Sequence, residues 1–157
     1  MRCTARLLLL FLALLLPITS YAESDKLAPN ANLSPTDVVQ IVITALKTNS
    51  DKDNAGIETV FRFASPGNKA VTGPIERFTQ MIQRGFPDML NHLQSEFSDI
   101  QIEGNTAVQA VWLTSVTGSQ HGYVFQLGKQ LNGEYKDMWM TEAVMPIGAN
   151  APRGQSI

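Results

Sequence analysis

The sequence predicts an α+β fold in which three N-terminal helices pack on a four-stranded antiparallel sheet. Three observations lead there. Apolar residues recur at helical spacing from Val38 to Leu93, then alternate at a period of two from Ile100 to Val144. Three turn signals, Gly104-Asn105, Thr117-Gly118-Ser119 and Asn132-Gly133, divide the second half into hairpins. A helical half followed by a stranded half buries both apolar faces when the helices cover one face of the sheet.

The first helix begins at Ser34-Pro35-Thr36-Asp37. Ser34 is placed to cap, Pro35 suits the first helical position and Asp37 lies near the positive end of the dipole. Val38, Val39, Val42, Ala45 and Leu46 form its apolar stripe, and the polar run Asn49 to Asn54 ends it. Ile57, Val60, Phe61 and Ala64 mark a second helix, which Ser65-Pro66-Gly67-Asn68 is expected to stop because proline cannot continue the hydrogen-bond ladder. A third helix opens at Thr72-Gly73-Pro74 with Phe78, Met81 and Ile82 on one face. Gly85 and Pro87 break it, and Met89, Leu90 and Leu93 suggest a last short turn. The strands follow: one around Ile100 and Ile102, one over Thr106 to Ser115, one carrying His121, Tyr123, Phe125 and Leu127, and a last over Glu134 to Val144.

The ends read differently. Arg2 and Arg6 precede the apolar run Leu7 to Leu16, Pro17 ends it, and Ser20-Tyr21-Ala22 offers small residues for cleavage before Glu23. A membrane anchor is the competing reading, but ten helical residues reach only roughly 15 Å, about half a hydrocarbon core. Residues 1–22 are therefore expected to be a signal peptide and the product periplasmic or secreted, with no membrane association after cleavage. Residues 23–33 read as a flexible lead-in, 34–147 as one α+β domain and 148–157, with Pro152 and Gly154, as a disordered tail.

Cys3, the single cysteine, precedes the apolar run and leaves with the signal, so the mature domain is expected to have no disulfide and no thiolate ligand. Loss of Arg2 and Arg6 moves the net charge from −2 to near −4. Without a basic cluster, nucleic acid is not an expected partner. No Gly-x-Ser-x-Gly elbow, phosphate loop, dinucleotide glycine pattern or His-Glu-x-x-His is present. His92 and His121 are too isolated to suggest a metal site, and no cofactor is expected.

Phe61-Arg62-Phe63-Ala64-Ser65-Pro66-Gly67-Asn68, followed by Gly73-Pro74-Ile75-Glu76-Arg77-Phe78 and by Phe86-Pro87, resembles a bacterial family catalogued as domain of unknown function 4864; Trp139-Met140-Thr141 is similar to a late segment of some members. The motif residues that carry the resemblance are Ala64, Ser65, Pro66, Gly73, Pro74, Arg77 and Phe78. The resemblance implies a nuclear transport factor 2-like cone, in which helices and a curved sheet enclose a cavity. That superfamily includes isomerases, dehydratases, hydrolases and binding modules, so no activity follows from it. Ser65 reads as a helix-end hydrogen bonder before Pro-Gly rather than a nucleophile, and Arg77 as a structural residue.

The last strand holds one unusual feature. Tyr135, Asp137, Trp139 and Thr141 share a face if the strand is regular. An acid between two large aromatics either lines a cavity or marks a bulge that turns it to solvent. In the cavity it would stand with Trp139, His121, Tyr123 and Trp112 as a binding site, with a carboxyl pKa raised by desolvation. The favoured function is an exported module that binds a small apolar ligand or another protein. The alternative is a cofactor-independent isomerase, dehydratase or hydrolase working by acid-base chemistry in the cavity. The many large aromatics of the sheet (Trp112, Tyr123, Phe125, Tyr135 and Trp139) exceed what three short helices cover, which predicts a homodimer.

Overall fold

A computed structural model describes residues 27–148. The expected signal peptide and all but the first residue of the expected tail lie outside the described residues, as do the first four residues of the lead-in.

The start of α1 (Pro35–Lys47) follows from its cap. The Ser34 hydroxyl accepts the Asp37 N–H at 3.2 Å, and the Asp37 carboxylate accepts the Ser34 N–H at 2.8 Å, a capping box. The Ser34 hydroxyl also donates to that carboxylate, and these bonds hold the Asp37 pKa below its ordinary value. Val38, Val39, Val42, Ile43 and Leu46 form the buried stripe. α2 (Ala55–Phe63) packs closely against α1 because Gly56 has no side chain: a Cβ there would collide with the Ala45 carbonyl oxygen. Asn49 completes the corner, its Oδ1 accepting the Ile57 N–H at 3.2 Å.

The expected stop at Ser65-Pro66 is instead the start of a further helix, α3 (Pro66–Thr72). The same chemistry that opens α1 operates here. Ser65 caps by accepting the Asn68 N–H at 3.1 Å, and Pro66 occupies the first turn, where its missing N–H costs nothing. α4 (Ile75–Gly85) follows a cis Gly73–Pro74 peptide and buries Phe78 and Ile82; the short turn falls at Pro87–Met89 as a 3-10 helix. Among the described residues, four α-helices therefore stand where the sequence pattern indicated three.

The stranded half holds five strands: β1 (Gln94–Phe97), β2 (Gln101–Glu103), β3 (Thr106–Thr114), β4 (Gln120–Lys129) and β5 (Trp139–Pro146). All pairings are antiparallel, in the order β1-β3-β4-β5, with β2 also on β3. β1 and β2 lie along successive stretches of one β3 edge, joined by Ser98, whose Oγ accepts the Ala110 N–H at 3.0 Å. The sheet is thus four strands wide with a broken edge, and the additional strand is β1, whose Gln-Ser-Glu-Phe sequence carries no apolar alternation. Ala107, Val111, Leu113, Tyr123, Phe125 and Leu127 face the helices and join their buried stripes in one core.

The last strand also differs. Gly133 takes φ +75° and Asp137 φ +66°, and two turn hydrogen bonds, Lys136 N–H to Gly133 O and Met138 N–H to Tyr135 O, keep residues 133–138 out of the sheet. β5 therefore begins at Trp139, not Glu134. Its ladder to β4 carries a bulge: Gln126 pairs with Ala143 and Leu127 with Thr141, leaving Glu142 as the extra residue. Among the described residues, no helix is long and apolar enough to cross a membrane.

Candidate functional site

Helices and sheet do not close completely on one another. A cavity of about 380 Å³ lies between them. Val42 and Leu46 of α1, Val60 of α2 and Phe78, Met81 and Ile82 of α4 form much of its wall, with Phe125 and Val144 on the sheet side. It reaches the surface along α3, where its lining includes Val71, which is 71% exposed. A volume of this size bounded mainly by hydrocarbon is in the range of small-molecule sites.

One end of the cavity is polar, and local structure explains why. The segment Ala64-Ser65 runs alongside β5 as a parallel bridge, with the Ser65 N–H donating to the Thr141 carbonyl at 2.9 Å. The cap of α3 is thereby held against the bulge in β5. The fully buried Ser65 hydroxyl donates to Glu142 Oε2 at 2.7 Å, and Gln130 Nε2 donates to Oε1 at 2.9 Å. Gly128 makes room for this carboxylate: a Cβ there would stand 2.6 Å from Glu142 Oε1. Asn68 Nδ2 donates to the Thr141 and Glu142 carbonyls at 3.3 and 3.0 Å, while Asn68 Oδ1 accepts the Thr72 hydroxyl at 2.9 Å. One polar group in this end is unpaired. Thr141 is 3% exposed and lines the cavity, yet its Oγ1 has no hydrogen-bond partner in the protein.

Beside this network, Lys69 lies over the rings of Phe61 and Tyr135 at 5.7 and 5.1 Å, and its ammonium donates to the Arg62 carbonyl at 3.1 Å. Burial lowers its pKa. Lys69 thereby ties the 130–138 loop, through Tyr135, to α2 and α3.

The residues proposed from sequence as a cavity site do not assemble. Asp137 is exposed in the loop, its N–H bonded to the Gln130 carbonyl at 2.7 Å, so the carboxylate stands in water outside the cavity. Trp112 sits opposite Gly122 in the register, on the sheet face away from Tyr123. His121 pairs with Asp88 at 3.5 Å, near the surface. Tyr123 is buried against Phe86, with ring centroids 6.1 Å apart, and burial raises its pKa. Trp139 packs partly buried on the core. None of the five lines the cavity. Of the motif residues, Ala64 and Phe78 line it and Ser65 supports it from behind; Pro66 opens α3, Gly73 and Pro74 join α3 to α4, and Arg77 is exposed on α4.

Asn68, Thr141 and Glu142 line the cavity, although the sequence pattern does not single them out as site residues. Glu142 had a detectable signal, as the one acid within the apolar stretch Met138 to Pro146. The bulge that places it was not detectable from alternation alone. Among the described residues, no group of three His, Cys, Asp or Glu side chains is placed to hold a metal ion.

A helix-covered antiparallel sheet with an apolar cavity, polar at one end, defines a small α+β cavity protein. The chain belongs to the family described as Domain of unknown function (DUF4864), whose model matches residues 31–152. No curated protein matches the chain, and no solved structure does.

Proposed function

We propose that the protein is a binding module that holds a small apolar ligand in the cavity between its helices and sheet. The observation that carries this reading is the cavity itself, about 380 Å³ with apolar walls and a polar end at Thr141 and Glu142. A cavity between helices and sheet is also the shape implied by a nuclear transport factor 2-like cone, and we extend the proposal to that fold. Glu142 is the one titratable side chain among the lining residues, and both its oxygens already accept hydrogen bonds. Acid-base turnover would need a second group, so this arrangement favours binding over the isomerase, dehydratase or hydrolase alternative.

Export through a cleaved residue 1–22 signal belongs to the same proposal and is tested by the intact mass of the exported protein. The expected homodimer is a further part, tested by light scattering. Tyr123 and Phe125 are already buried within one chain, so of the five aromatics Trp112 is the one left on the sheet face away from the helices.

The test of ligand binding is titration with benzene, a small apolar probe. Saturable shifts confined to the methyl signals of Val42, Met81 and Val144, with a rise in Tm at saturating probe, are expected. An absence of saturable shifts at these methyls would remove the reading.

A further inference from the structure

We propose that the natural occupant of the cavity is an amphiphile with an anionic head, its apolar body inside and a carboxylate at the mouth beside Arg77 and Arg84. The inference rests on the reading of the cavity as a ligand site and names the chemistry that its mouth selects.

A charged head has no place among the inner walls, which Val42, Leu46, Val60, Phe78, Ile82 and Phe125 line with hydrocarbon. It would lose its water there without replacement. Thr141 Oγ1 has no partner, but it exposes under 1 Å² and is out of a ligand's reach. The Glu142 carboxylate is held by Ser65 and Gln130 over Gly128. Gly128 follows the buried Leu127 in β4, so alternation puts it on the sheet face turned from the helices. Asn68 Oδ1 accepts the Thr72 hydroxyl and keeps one acceptor position, a neutral contact. The head therefore stays at the opening, in contact with water.

The geometry of α4 decides which head is favoured there. One flank of this helix faces α2, because Gln83 Nε2 donates to Asn54 Oδ1 at 3.2 Å, just before α2 begins. Met81 stands roughly 160° from Gln83 around the helix, on the opposite flank. It is half-buried and lines the cavity, so this second flank borders the opening. Arg77 and Arg84 both fall within about 60° of Met81 on that flank. Both are exposed, and among the described residues neither is ion-paired. The acid beside them in sequence, Glu76, lies about 140° from Met81 and away from the opening. Val71 of α3, exposed and also a lining residue, completes an apolar rim with two unpaired guanidinium groups. A guanidinium offers a carboxylate two parallel N–H donors. An ammonium at the same place would meet two like charges, and a hydroxyl would gain no charge attraction.

The test titrates the protein calorimetrically at neutral pH and low salt with octanoate and octylammonium, which share one alkyl chain, and with benzene, which has no head. Octanoate is expected to bind at least about fivefold more tightly than octylammonium. That ratio should fall towards one in ~1 M salt, where screening leaves a Debye length of ~3 Å. The double variant Arg77→Gln with Arg84→Gln should lose most of the preference while its benzene affinity and Tm stay unchanged. Equal or tighter binding of octylammonium would overturn the anionic head, as would a preference that survives in the double variant. If the double variant loses benzene binding as well, the salt series on the unsubstituted protein decides, and a preference indifferent to salt refutes the assignment. Benzene binding without an octanoate preference defeats this assignment alone. Failure of every probe, benzene included, defeats the ligand-site reading and this inference with it.

Discussion

The Ser65 hydroxyl donates to the Glu142 carboxylate at 2.7 Å across 77 residues of sequence, while the same oxygen accepts the Asn68 N–H at 3.1 Å. One side chain thus begins α3 and anchors it to the bulge of β5. The contact joins the helical half of the chain to the stranded half at the polar end of the cavity.

Ser65→Ala should therefore cost more than an ordinary cap. The lost cap is worth about 1 kcal/mol, and a buried hydrogen bond to a charged acceptor adds roughly 1.5–3 kcal/mol. A thermal or urea unfolding series checks this. A loss under about 1 kcal/mol would show that Glu142 finds another donor or water.

Val144→Phe should stabilise the protein and close the site. Val144 is half-buried in β5 and lines the cavity, and phenylalanine is a good strand former. Filling part of the void recovers on the order of 1 kcal/mol by the usual dependence on cavity volume. The expected pair of results is a higher Tm and no benzene-induced shifts. Unchanged benzene binding in this variant would place the probe elsewhere.

His92 sets an acid limit. It is buried, its Nδ1 lies 2.8 Å from the Met89 carbonyl oxygen, and its Nε2 has no partner in the protein. Burial lowers its pKa and the charge of Lys47 adds to that, while the Met89 carbonyl opposes it. With the folded value below the unfolded ~6.5, the unfolded state takes the proton first. Full stability is expected above that pH and a progressive loss as pH falls towards the folded pKa. Comparing urea unfolding from pH 7 downward with the titration of the His92 ring by NMR checks the assignment. A ring that titrates at or above ~6.5 in the folded protein would refute it.

Asp137→Gly should be nearly silent for binding and neutral or slightly stabilising for the fold. The residue is exposed at φ +66°, a conformation that glycine adopts without strain. Benzene titrations should match those of the unsubstituted protein. A changed affinity would return Asp137 to the site.

Local signals made much of this fold legible. Ser34-Pro35 with Asp37 marked the start of α1, and the period-two row Tyr123, Phe125, Leu127 marked the buried face of β4, because caps and alternation act over a few neighbouring residues. The family motif around Ala64 and Ser65 was legible as a pattern, and the chain's membership of its family followed. The start at Ser65-Pro66 is also readable, since it repeats the chemistry of Ser34-Pro35, but proline fits the stop of one helix as well as the start of the next.

The candidate site was not legible, and the reason is physical. Asp137 and Glu142 are both single acids among apolar neighbours, and alternation treats them alike. Which one meets the cavity depends on where the β4–β5 turn ends and where the ladder bulges, both set by pairing with β4 rather than by residues near either acid. The space beneath them depends in turn on how far α1, α2 and α4 stand from the sheet. The docking of the two halves runs through contacts such as Ser65 on Glu142, between segments that no local pattern relates. Short-range chemistry therefore chose the elements, while the docking of helices on the sheet created the cavity and left Thr141 unpaired within it.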